Sequence, residues 1–165
     1  MSTSKNLKVT TPSERELLIT REFDAPRELV WEAWTQPELV KRWLFGPDGW
    51  SLAVCEQDLR PGGALRWVWR FRDGSEMGLR GEYREIVRPE RIVHTELFDQ
   101  DRTGGETLVT VLFEERAGRT TVAMTVLYSS KEARDGAAST PMAEGMEMGY
   151  KRLDAILAGM PSARR

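Results

Sequence analysis

The segment from residue 65 to residue 71 places the strictest limit on how this chain can fold. Every second residue in it is large and apolar: Leu65, Trp67, Trp69 and Phe71. Arginine occupies two of the three positions between them. A period of two is typical of a strand that buries one face and exposes the other to water. The segment therefore predicts a half-buried strand whose tryptophans point inward.

Similar short patterns occur on both sides of this strand, separated by turn sequences such as Asp73-Gly74. The predicted strands cover residues 17–23, 52–56, 65–71, 77–84, 92–98, 107–113 and 121–128. Consecutive short strands joined by tight turns predict an antiparallel meander with one buried face.

Helical patterns lie before and after the meander. Two short helices are predicted after the first strand, beginning near Pro26 and Pro37. Ser129 and Glu132 stand at capping-box spacing for another helix start. After Pro141, apolar residues recur at three and four positions over roughly five turns, as in an amphipathic helix. We therefore expect an α+β fold in which a curved antiparallel sheet of about seven strands wraps around this long C-terminal helix. A strongly twisted sheet around one helix leaves a space in which a ligand can bind.

Length and composition limit the functional classes. The 165 residues suffice for one domain, which we place at residues 13–160, with residues 1–12 as a flexible N-terminus. The net charge is −2 and the basic residues are interleaved with acids, so we expect no nucleic-acid partner. No apolar run is long enough for a membrane span, and a single cysteine fits a reducing compartment. We expect a cytoplasmic protein.

Metal chemistry is also disfavoured. The chain has one histidine, His94, and one cysteine, Cys55, whereas a zinc site needs three or four nitrogen or sulfur ligands. We expect neither a metal nor a cofactor. Nothing beside Cys55 in the sequence would activate a thiolate, and we interpret it as a small buried apolar residue.

Several motifs occur in an order and spacing that resemble the START-like (SRPBCC) superfamily. They are Phe23-Asp24-Ala25-Pro26, Val30-Trp31-Glu32-Ala33-Trp34, Asp58-Leu59-Arg60-Pro61-Gly62-Gly63, Gly81-Glu82-Tyr83-Arg84-Glu85-Ile86 and Pro89-Glu90-Arg91-Ile92-Val93-His94-Thr95-Glu96. The chain is most similar to the AHSA-type branch, named after an activator of the heat-shock chaperone ATPase and also labelled polyketide cyclase-like. The resemblance spans residues 17–157 and implies a helix-grip fold with a deep hydrophobic cavity. Such cavities hold lipids, polyketides or hormones, some relatives are cyclases or dehydratases, and one eukaryotic group acts in the stress response on a chaperone.

The candidate chemistry centres on two residues of one predicted strand. His94 and Glu96 are two positions apart, so their side chains point to the same face. On a cavity wall they would orient a ligand or act as acid and base. Alternatively, His94 is an ordinary sheet histidine with a hydrogen-bond partner and Glu96 lies at a wet strand end.

Large aromatic and thioether side chains at inward positions extend this candidate site. The candidate ligand-binding residues are Trp43, Phe45, Trp67, Trp69, Met77, Tyr83, His94, Glu96, Met142 and Met146. These side chains suit a cavity for a flat apolar ligand and suit an ordinary core equally well. The aromatic residues around the loop at residues 46–49 would form a portal or a homodimer contact.

Three functions follow from these observations. The first is binding of a small apolar or aromatic molecule between the sheet and the C-terminal helix. The second is a metal-free cyclase or dehydratase reaction in the same cavity. The third is a chaperone-activator-like interaction, against which the lack of a long extra domain counts.

Overall fold

The computed structural model describes residues 7–100 and 104–161. Within these ranges the chain forms eight strands and four helices, in the following order. They are β1 (Lys8–Ser13), β2 (Glu16–Phe23), α1 (Arg27–Thr35), α2 (Pro37–Val40), β3 (Trp50–Gln57), β4 (Ala64–Phe71), β5 (Glu76–Val87), β6 (Arg91–Phe98), β7 (Thr107–Arg116), β8 (Arg119–Leu127), α3 (Lys131–Ala138) and α4 (Met142–Gly159).

The strands form one curved, open antiparallel sheet with the order β1-β2-β8-β7-β6-β5-β4-β3. The meander from β3 to β8 is therefore contiguous, and β2 pairs with β8, with Leu17 opposite Val126. Shifts in register between Tyr83 and Glu85 of β5 add a bulge, which increases the local twist of a strand. The sheet and α4 form a helix-grip fold.

The inner face of the sheet carries the core. Alternate residues of β2 are buried, and so are those of β7, among them Ile19 and Val111. Leu153 and Leu157 of α4 complete this core from the other side.

Aromatic rings fill one end of the space between the sheet and the helices. The ring of Trp34 on α1 lies 4.8 Å from that of Trp43, 5.6 Å from that of Phe113 and 5.9 Å from that of Tyr150, measured between centroids. The ring of Phe23 meets that of Tyr150 edge to face at 5.3 Å.

One buried arginine holds α4 to the sheet. Arg21 occupies an inward position of β2 and is only 2 % exposed. Its guanidinium donates hydrogen bonds to both carboxylate oxygens of Glu147 and to both of Asp154 on α4, at 2.8–3.1 Å. A buried guanidinium that satisfies two carboxylates in this way fixes the position of a helix over the sheet.

The structure corrects three sequence predictions. The sheet has eight strands rather than about seven, because residues 8–12, expected to be frayed, belong to β1. All six residues of β1 are exposed, so this edge strand has no apolar alternation and is held by backbone pairing with β2. The cap of α3 is Ser130 rather than Ser129, and its side chain accepts a hydrogen bond from the backbone N–H of Ala133. Residues 1–6 of the predicted flexible N-terminus lie outside the described residues.

Candidate functional site in the sheet–helix grip

His94 and Glu96 lie on β6, on the face of the sheet that α4 covers. His94 is opposite Tyr83 of β5 and opposite Val109 of β7, and both of these neighbours belong to the core. Glu96 follows on the same face, opposite Thr107. Strand periodicity thus brings both candidate residues to the inner face.

The two side chains are neighbours without a direct hydrogen bond. Nδ1 of His94 lies 3.9 Å from Oε2 of Glu96 and 3.2 Å from the carbonyl oxygen of Thr95. A carbonyl only accepts, so Nδ1 carries the proton and donates it, which leaves Nε2 of a neutral imidazole as an acceptor. The rings of Tyr83 and Trp67 contact the imidazole edge to face, with centroids 5.8 and 6.4 Å away.

Burial changes the protonation of both groups. It lowers the pKa of His94 to about 4, because a charged imidazolium loses its hydration there. It raises the pKa of Glu96 to about 7 for the same reason, and no cation among the described residues offsets this shift. At neutral pH the imidazole is uncharged and the carboxyl group is only partly ionised.

Two tyrosines complete the polar part of the site. Tyr83 and Tyr128 are 3 % and 4 % exposed, and their hydroxyl groups form no hydrogen bond with any described residue. Burial raises the pKa of both phenols, that of Tyr128 to about 12, and the negative charge of Glu96 contributes to each shift. Both hydroxyls are therefore protonated donors in the neighbourhood of Glu96.

The apolar wall of the candidate site is only partly buried. Its sheet residues Trp67, Trp69, Phe98 and Met124 and its α4 residues Met142 and Met146 are half-buried and pack against the core cluster. Glu96 lies deep in the protein, yet 23 % of its side-chain surface remains accessible. These six apolar residues, with Tyr83, His94, Glu96 and Tyr128, are the candidate lining of a ligand cavity, and we call this set the grip cavity.

Hydrogen bonds orient the two tryptophans of β4. Nε1 of Trp67 donates to Oε1 of Gln57 at 2.9 Å, and Nε1 of Trp69 donates to the carbonyl oxygen of Leu44 at 2.9 Å. Both indole N–H groups are satisfied by protein, so the rings offer apolar surface to the cavity. Met77 is opposite Trp69 in the register of β4 and β5 and is half-buried.

Two of the predicted ligand-binding residues lie elsewhere. Trp43 is 3 % exposed, and its Nε1 donates to the carbonyl oxygen of Ala33 at 3.0 Å, which places it in the core. Phe45 packs in a second cluster with Val40, and its ring lies 3.8 Å below the guanidinium carbon of Arg152. Cys55 belongs to this second cluster, where burial raises the pKa of its thiol to about 11. A thiol that stays protonated at neutral pH is a poor nucleophile, in agreement with the interpretation of Cys55 as a small buried apolar residue.

Sequence reasoning missed Phe98, Met124 and Tyr128. Phe98 continues the period of two that contains His94 and Glu96, so its position was readable from β6. Met124 lies on β8 opposite Val111 of β7, and Tyr128 directly follows β8, with its backbone N–H donating to the carbonyl oxygen of Arg15. These are relations between distant segments, which no local pattern displays.

Two hollows lie on the described surface outside the grip. One hollow lies beside Arg66 and Asp99, and a second beside Glu22 and Arg119, and these charges pair with each other at 2.8 and 3.0 Å. Among the described residues, no three metal-ligating side chains cluster together, and no helix has the length and hydropathy to span a bilayer.

The family model described as "Activator of Hsp90 ATPase homolog 1-like protein" matches residues 24–158 of this chain. The chain belongs to this family. No curated protein matches the chain. The AHSA-type resemblance predicted from the motifs is confirmed.

Solved structures of similar proteins share the fold. A protein from Rhodobacter sphaeroides is 39 % identical, with a TM-score of 0.89 over 93 % of this chain and 99 % of that one. A protein from Nitrosomonas europaea is 25 % identical, with a TM-score of 0.78 over 90 % of this chain and 97 % of that one. An AHSA1-like protein from Aeromonas hydrophila, 22 % identical with a TM-score of 0.67, covers 84 % of this chain and 93 % of its own and shows the common fold.

Proposed function

We propose that this AHSA1-family protein binds a small apolar or aromatic molecule in the grip cavity. The observation that carries the proposal is that six apolar side chains on the inner side of the grip remain half-buried, on the same side of the sheet as a carboxyl group that lies deep in the protein. Apolar surface that stays open inside a fold is the usual lining of a small-molecule site.

The polar groups would orient the ligand. Nε2 of His94 offers an acceptor, the hydroxyls of Tyr83 and Tyr128 offer donors, and Glu96 offers either role according to its protonation. A few convergent polar groups in an apolar cavity provide specificity, because an unmatched group left buried costs about 1–3 kcal/mol.

A cyclase or dehydratase reaction is the second candidate, and one observation favours it. The pKa of Glu96, about 7, matches a general acid or base at neutral pH, and His94 stands 3.9 Å away. In that case Glu96→Gln and His94→Gln would abolish turnover of a polyketide-like substrate while binding persists. Unchanged turnover in both variants would eliminate this function.

A chaperone-directed role is the third candidate and rests on the family description alone. An ATPase assay with the purified chaperone tests it. Stimulation by this protein would support the role, and an unchanged rate over a range of concentrations would remove it.

Binding is tested with the neutral fluorophore N-phenyl-1-naphthylamine, whose emission increases in apolar sites. Met146 and Met148 are two residues apart on α4, but Met146 faces the core whereas Met148 is 37 % exposed. Met146→Trp should fill the cavity and abolish the fluorescence increase, while Met148→Trp should bind like the wild type. Absence of binding by the wild-type protein, or equal binding by both variants, would overturn the proposal.

A further inference from the structure

We propose that the grip cavity selects an organic cation, a protonated amine joined to an apolar or aromatic body. The inference rests on the proposed ligand-binding function and specifies the head group of the ligand. It follows from the arrangement of charge and aromatic rings around Glu96.

The cavity offers a carboxyl group with no counter-ion. No described cation stabilises the charge of Glu96, and its described ionisable neighbours are the neutral imidazole of His94 and the protonated phenols of Tyr83 and Tyr128. An anionic head group such as a fatty-acid carboxylate would meet this carboxyl group without compensation, which is costly at low dielectric. A cationic head group would instead supply the missing partner.

The two arginines that are buried among the described residues, Arg21 and Arg134, already have partners. Arg21 on the same inner face pairs with Glu147 and Asp154. Arg134 of α3 donates to the backbone carbonyl of Ser13 and to Asp135. Neither guanidinium is available to an anionic ligand, so the charge preference of the cavity rests on Glu96.

The neighbouring side chains suit a cation as well. Trp67 and Tyr83 place their rings around His94, within the same wall as Glu96, and Trp69 contacts Trp67 at a centroid distance of 5.9 Å. Faces of tryptophan and tyrosine attract a desolvated ammonium group by about 2 kcal/mol or more. A carboxylate combined with aromatic faces is the set of groups that suits a protonated amine, because the ammonium group donates to the carboxylate and its charge is attracted by the ring faces.

Three probes that share an indole ring separate the head groups: tryptamine, the alcohol tryptophol and indole-3-propionate. Each is titrated against the N-phenyl-1-naphthylamine complex at pH 8, and its affinity is obtained from displacement. We expect tryptamine to bind at least about tenfold more tightly than tryptophol, and indole-3-propionate to bind most weakly. In Glu96→Gln the ratio of tryptamine to tryptophol affinity should fall to near one.

A pH series on the wild-type protein repeats the test without a variant. Of the cavity groups only Glu96 titrates between pH 5.5 and 8, because the pKa of His94 is about 4 and those of Tyr83 and Tyr128 are raised. Tryptamine should gain about tenfold or more in affinity over this range, since a protonated Glu96 must ionise to pair with it. Tryptophol should change by less than about threefold.

The outcomes distinguish this inference from the proposed function. Displacement by all three probes with equal affinity, or strongest binding of indole-3-propionate, would overturn the cation preference and leave apolar binding intact. A preference for tryptamine that persists in Glu96→Gln and does not change with pH would also overturn it. No fluorophore binding at all would overturn both proposals.

Discussion

Nδ1 of His94 lies 3.9 Å from Oε2 of Glu96, and burial shifts the pKa values of these two neighbours in opposite directions, each toward the neutral form. At neutral pH the imidazole is therefore uncharged and the carboxyl group is only partly ionised. The pair can accept or donate hydrogen bonds to a ligand, and a cation beside Glu96 would favour the ionised carboxylate.

Glu96→Gln should remove a pH dependence of stability. The folded-state pKa of Glu96 is about 7 and the ordinary value is 4.5, so the folded protein binds more protons between these values. The free energy of unfolding should therefore decrease as the pH rises from about 4.5 to 7, by up to about 3 kcal/mol. Urea denaturation at pH 5 and pH 8 measures this difference. The account is contradicted if the wild type and Glu96→Gln lose the same free energy between the two pH values.

His94 should stay neutral down to acidic pH. Its folded-state pKa is about 4 against an ordinary 6.5, so its contribution to stability is lost as the pH falls below about 6.5. It is the single histidine of the chain, so its ring proton gives one resolvable NMR titration curve. A midpoint near 6.5 would mean that the imidazole is hydrated and would contradict its burial in the grip.

Arg21→Met should destabilise the protein by about 2–4 kcal/mol, because it leaves Glu147 and Asp154 of α4 without their buried counter-ion. The control is Arg70→Met, which breaks an ion pair to Glu76 in which both side chains are about half exposed. That change should cost less than about 1 kcal/mol. Chemical denaturation compares the two variants, and equal losses would show that Arg21 does not anchor α4.

Gly81→Ala should disturb the sheet beside the cavity. A Cβ atom at Gly81 would lie 1.9 Å from the backbone carbonyl oxygen of Thr95, so one strand must move, at a cost of about 1–3 kcal/mol or more. Gly136 of α3 is the matched control, since a Cβ there meets nothing within 4 Å. Gly136→Ala should stabilise by about 0.4–1 kcal/mol. Thermal unfolding should show a lower Tm for Gly81→Ala and a higher Tm for Gly136→Ala than for the wild type. A Gly81→Ala variant as stable as the wild type would contradict the close approach of residue 81 to the Thr95 carbonyl.

The meander was predictable because most of its strands bury one face, so that apolar residues recur at every second position of the sequence. β1 was not predictable, because all its residues are exposed and it is held by its backbone pairing with β2. The N-cap of α3 was predicted one residue too early, at Ser129 instead of Ser130, because two adjacent serines offer the same capping chemistry.

The site was predictable only along single strands. His94 and Glu96 share a strand, so their common face followed from the period of two. Tyr128 directly follows β8, which β7 separates from β6 in the sheet, so its position near Glu96 is a relation between distant segments. Arg21 stands at an inward position among Leu17, Ile19 and Phe23, but its partners lie 126 and 133 residues away.

The most direct test of the account is to locate a bound apolar molecule on the protein. The indole N–H resonances in a ¹H–¹⁵N NMR spectrum, recorded during titration with N-phenyl-1-naphthylamine, provide this location. The account predicts large shifts for Trp67 and Trp69, which line the grip cavity, and small ones for Trp50, which lies beside Phe71. Shifts confined to Trp50, or none at saturating fluorophore, would contradict a ligand site between the sheet and α4.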